Sequence, residues 1–99
     1  MSPDEINNWM RIYAVEILAV NQFAASCLTN APADPLGLVE RLRQQMIEGA
    51  RTHGFPGLDA ASSDLASAEL EDAMNRLMEM VSAQITVVLE ARKTKSRDS

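Results

Sequence analysis

The stretch from Leu65 to Arg92 constrains this chain most. Leu70, Met74, Leu77, Val81, Val88 and Ala91 follow a 4-3-4-7-3 spacing, with Gln84 standing at the one interrupted step. That spacing is the seam of an amphipathic helix. Met78, Ile85 and Leu89 form a second row that widens the seam into a broad apolar face. A face of this breadth requires cover, and the rest of the chain reads as helices able to supply it.

Ser2-Pro3-Asp4-Glu5 carries the signals of a helix start. The serine can cap, the proline suits the first helical position, and Glu5 stands where a capping box needs it. From there Ile6, Met10, Tyr13, Ile17, Val20, Ala24 and Cys27 repeat 4-3-4-3-4-3 without a break. Trp9, Ile12, Ala19 and Phe23 make a neighbouring row, while Leu18, Ala25 and Leu28 occupy the other shoulder. A helix apolar on this much of its circumference is expected to be buried on more than one side.

Pro32 and Asp34-Pro35 end this helix and open a second one, which runs to about Thr52. Leu38 or Val39, Leu42, Met46 and Ala50 are its inner stripe, and Arg41, Arg43 and Arg51 belong to its solvated face. Gly37 and Gly49 each weaken it by about 1 kcal/mol relative to alanine. Gly54 is expected to end it in a left-handed conformation, with Phe55 and Leu58 tucked against the helix ends. The third helix is expected to begin between residues 59 and 67.

The fold expectation is therefore all-α: an up-down-up three-helix bundle within a single domain. Two long helices span about 3–29 and 64–93, a shorter one spans about 35–52, and a polar, partly flexible tail occupies about 94–99. Two rods near 40 Å cannot be covered along their length by a helix of roughly 27 Å. Monomers seldom leave large apolar patches open, so the core is expected to be completed by dimerisation.

The composition excludes several functions. A net charge of −5 opposes general affinity for nucleic acid or anionic membranes. One cysteine, Cys27, permits no internal disulfide, which fits a reducing compartment, and the acidic opening MSPDEINNW is unlike a secretory signal. No apolar run approaches the roughly 18 residues of a membrane span, so a cytoplasmic location is expected. With one histidine, His53, there is no metal-ligand pattern and no Glu-x-x-His pair. Gly54 and Gly57 lack the lysine and the preceding strand of a phosphate loop. No catalytic, cofactor-binding or metal-binding residue is assigned, and the chain is not expected to be an enzyme.

Three functional expectations remain. The leading one is a helical protein that self-associates, or binds another protein, as a subunit or adaptor. Its candidate interface residues are Trp9, Tyr13, Ile17, Phe23, Met74, Met78, Val81, Ile85 and Val88. Asn21 and Gln84 interrupt apolar rows and are the candidate register-setting amides, with Gln84 expected within the seam. The second is an acidic inhibitor or antitoxin-like protein that meets a basic partner through the Asp64–Glu79 face. The weakest is regulatory nucleic-acid binding through Arg41, Arg43 and Arg51.

Overall fold

The computed structural model describes residues 1–98, with side chains described through residue 96. Its helices are α1 (Pro3–Asn30), α2 (Pro35–Thr52) and α3 (Ala60–Asp98). Each begins with a side-chain cap that satisfies an otherwise free backbone donor. The Glu5 N–H donates to Ser2 Oγ at 3.2 Å, the Gly37 N–H to Asp34 Oδ1 at 3.0 Å, and the Ser62 N–H to Asp59 Oδ1 at 2.7 Å.

The cap at Asp59 starts α3 at Ala60, inside the expected window of 59–67. At its other end α3 continues five residues past the expected 93, so positions 94–98 are helix rather than tail. Nothing after Gly57 is glycine or proline, and the Arg92–Lys93–Lys95 cluster complements the negative end of the helix dipole. Ser99 lies outside the described residues.

The turn between α2 and α3 differs from expectation at two positions. Gly57, with φ of 91°, is the residue in the left-handed region, and Gly54 is not. α2 instead ends as His53 becomes extended (φ −71°, ψ 125°). Thr52 Oγ1 donates back to the carbonyls of Glu48 and Gly49. Pro56 and Gly57 then form the centre of a turn closed by the Leu58 N–H on the Phe55 carbonyl at 3.2 Å, with the positive φ at the position where a type II turn needs glycine. Phe55 is half-buried against the His53 ring, 4.7 Å away edge-on, whereas Leu58 stays exposed.

Pairings between helices fix the topology. Arg43 Nη1 donates to Asn75 Oδ1 at 3.0 Å, and Arg51 pairs with Glu71 at 2.8 Å, so α2 rises as α3 falls. Glu16 pairs with Arg76 at 3.5 Å, and Asn21 shares a groove with Gln84, so α1 and α3 run parallel. The bundle is up-down-up. Its core joins Val20, Ala24 and Cys27 of α1, Val39 of α2, and Met78, Val81 and Ile85 of α3.

That core occupies only part of the molecule. α3 alone is about 58 Å long at 1.5 Å per residue, matching the longest dimension of 59 Å, while the shortest is 15 Å. The radius of gyration is 17.2 Å, against about 13 Å for a compact chain of this length. The accessible surface is 7323 Å², against about 5,600 Å² for a compact monomer of 10.9 kDa.

The openness is concentrated on α1. The expectation that this helix is buried on more than one side fails for the single chain, because every residue from Met1 to Val15 is exposed. α2 lies chiefly against α3 and meets α1 much less, so the first half of α1 is left largely open, with α3 reaching it only through Arg76 and Met80. α1 is also long and apolar enough to cross a membrane by length and composition alone: an 18-residue window within it has a mean hydropathy of 1.3. Glu16, Asn21 and Gln22 interrupt the apolar run without lowering the average below that level.

Candidate interaction surface

One stripe on α1 serves two environments. Val20, Ala24 and Cys27 are its C-terminal half and sink into the core. Ile6, Met10, Tyr13 and Ile17 continue the same spacing toward the N-terminus, and all four are exposed. Trp9 lies beside them and Ile12, Val15 and Leu18 fall on the other faces of the helix, so eight large apolar side chains between Ile6 and Leu18 stand 38–71% exposed. Isolated surface leucines are ordinary, but a contiguous patch of this kind marks an interaction site.

The candidate interface residues divide three ways. Trp9, Tyr13 and Ile17 lie on this open arm. Phe23, Met74 and Val88 are half-buried. Met78, Val81 and Ile85 are core residues, Ile85 with no exposure at all, and are corrected from interface to core. They point toward Val39 and the C-terminal half of α1, so the chain itself uses that part of the α3 face. Ile6, Met10, Ile12, Val15 and Leu18 belong to the surface as well. Ile6 and Met10 were recognisable from the 4-3 stripe; the other three depend on the absence of a covering helix.

Two apolar recesses flank the contact between α1 and α3. Ala19, Phe23, Met46, Met74, Leu77 and Val81 help line a pocket of about 120 Å³ where the three helices meet. On the other side of α1, Ile17, Val20, Met80 and Val87 line a more open groove containing both Asn21 and Gln84. The expectation that Gln84 is enclosed in the seam is not met within one chain. Gln84 is half-buried and Asn21 exposed, because the core lies on the Val81–Ile85 side of α3. A further recess continues along the arm past Trp9, Tyr13 and the Glu16–Arg76 ion pair.

Much of the charge on the other helices is engaged within the chain. Arg43 binds Glu40 as well as Asn75, and its hydrogen bond holds the Glu40 carboxyl below its usual range. The bond from Arg51 to Glu71 joins the basic face of α2 to the acidic face of α3 and raises the guanidinium pKa. Glu79 adds a favourable charge near Arg43. Two of the three arginines proposed to meet nucleic acid, and part of the Asp64–Glu79 face, thus have partners inside the molecule. Arg41 is exposed.

Burial raises the pKa of the Cys27 thiol, which keeps it protonated and a weak nucleophile. Among the described residues no three His, Cys, Asp or Glu side chains converge as a metal site would require. Compared with protein-family models, curated proteins and solved structures, the chain matches none.

Proposed function

We propose that this chain is a non-enzymatic helical subunit that self-associates through the apolar N-terminal half of α1. The observation that carries this reading is the change in environment along one stripe: Val20, Ala24 and Cys27 buried, Ile6, Met10, Tyr13 and Ile17 open. A helix seam continued at constant spacing is suited to another helix. Trp9 and Tyr13 add the residue types that anchor interfaces, at small cost in side-chain entropy.

A protein partner suits the arm better than a bilayer does. From Ile6 to Leu18 the exposed helix measures about 20 Å, short of the roughly 30 Å hydrocarbon thickness. Extending the span toward Asn30 would remove Val20, Ala24 and Cys27 from the core and separate Glu16 from Arg76.

Sedimentation at low and high salt tests the reading. Assembly held by apolar contact persists at raised ionic strength. Assembly that dissolves as salt is raised would instead assign the contact to charge, and a monomer under both conditions would refute self-association.

A further inference from the structure

We infer that the occupant of the open arm is the same arm of a second copy, packed antiparallel about a two-fold axis between Arg11 and Ile12. This inference rests on the self-association reading and specifies its geometry. The exposed stripe Ile6, Met10, Tyr13, Ile17 has the spacing 4-3-4, which reads the same in both directions. Reversing one copy therefore places Ile6 against Ile17 of the partner subunit and Met10 against Tyr13 of the partner subunit. The two reciprocal contacts follow from symmetry, and no stripe residue is left over.

The area fits. Five of these side chains, Ile6, Trp9, Met10, Tyr13 and Ile17, fall within about 100° of the helix circumference and, 38–57% exposed, present roughly 500 Å² per copy, the size of a small, reversible interface. None of the four stripe residues carries a charge, so copies of a chain with net charge −5 meet where their repulsion is weakest. Antiparallel packing also directs the two folded bodies to opposite ends. A parallel pair would bring Asp4 and Glu5 of both copies together and crowd the bodies at the point where α3 already occupies the stripe, beyond Ile17.

The same register gives the amides an environment. Two-fold pairing that sets residue 6 against 17 sets residue 2 against 21, so the first turn of the incoming helix passes over the groove containing Asn21 and Gln84. Polar side chains there suit a helix N-terminus, whose first backbone N–H groups lack partners within their own helix.

Cysteine cross-linking of the full chain tests the arrangement. Ile6→Cys and Ile17→Cys both replace exposed residues, and the parent chain, whose buried Cys27 lies away from the arm, is the control. Circular dichroism verifies that each variant keeps the parent's helicity, and light scattering measures its mass. Under mild oxidation, a covalent dimer forming when the two variants are mixed, with neither variant cross-linking alone, supports the antiparallel pair. Each variant cross-linking alone, with no gain on mixing, overturns it in favour of parallel packing. Dimers that cross-link in neither case overturn the arm-to-arm contact while leaving self-association standing. A monomeric parent removes both.

Discussion

Ile17 and Val20 are consecutive members of one stripe on α1, yet Ile17 is 38% exposed and Val20 only 7%. The core of the single chain ends between them. On the C-terminal side α3 covers the stripe; on the N-terminal side α3 reaches only its rim, through Arg76 and Met80, and the rest is open.

Substitutions on the two sides of that boundary should therefore separate folding from assembly. Val81→Asp puts an unpaired carboxylate into the core at a cost of several kcal/mol, and helicity should collapse. Ile17→Asp leaves the core intact and should preserve the circular-dichroism spectrum while abolishing association. If both variants unfold, Ile17 contributes to the fold of the single chain; if both remain associated, the arm is not the interface.

The long helices and their order were legible in the sequence because the 3–4 spacing, the Ser2-Pro3 and Asp34-Pro35 starts, and the prolines are local signals. Which parts of the stripes would be covered was not legible. Met78, Val81 and Ile85 look as suitable for an interface as Tyr13 and Ile17, and only the placement of α2 against α3 separates the two groups. The end of α3 escaped for a different reason: polar composition suggested a tail, although nothing in 94–98 breaks a helix. Gly54 and Gly57 were indistinguishable until the turn around Pro56 selected one of them for positive φ.

Two glycines in α2 should respond differently to alanine. A Cβ on Gly49 meets nothing within 4 Å, so Gly49→Ala should stabilise the fold by about 1 kcal/mol through helix propensity. A Cβ on Gly37 would stand 2.6 Å from Asp34 Cγ and displace the capping carboxylate. Loss of that cap costs about 1 kcal/mol, so Gly37→Ala should gain little or nothing. Chemical denaturation of the two variants compares them directly, and equal stabilisation would show that Asp34 relocates without cost.

Acid should weaken the fold through carboxylates that are engaged in it. Hydrogen bonds from Ser62 lower the Asp59 pKa from its ordinary 3.8, and Arg43 lowers that of Glu40 from 4.5. A carboxyl whose pKa is lower in the folded state stabilises fully above its unfolded value and loses that contribution as pH falls through its folded value. Both groups are exposed, so the effect is small and weakens with salt. Thermal melts from neutral pH down to about 3 should show declining stability, and Asp59→Asn, which keeps a capping oxygen without the charge, should reduce the decline. An identical profile for the variant would remove Asp59 from the account.

Gln84→Leu should raise the melting temperature by replacing an amide in a largely apolar groove. The distribution of assembly states should broaden at the same time, because the substitution removes a polar feature that disfavours other registers. A variant with unchanged stability and one unchanged species would mean that Gln84 specifies nothing.

Whether the N-terminal half of α1 meets a second copy of itself is read from light scattering across a micromolar dilution series. A species of twice the 10.9 kDa chain mass should be present, dissociate on dilution and be lost in Ile17→Asp. A single 10.9 kDa species throughout the series would contradict it.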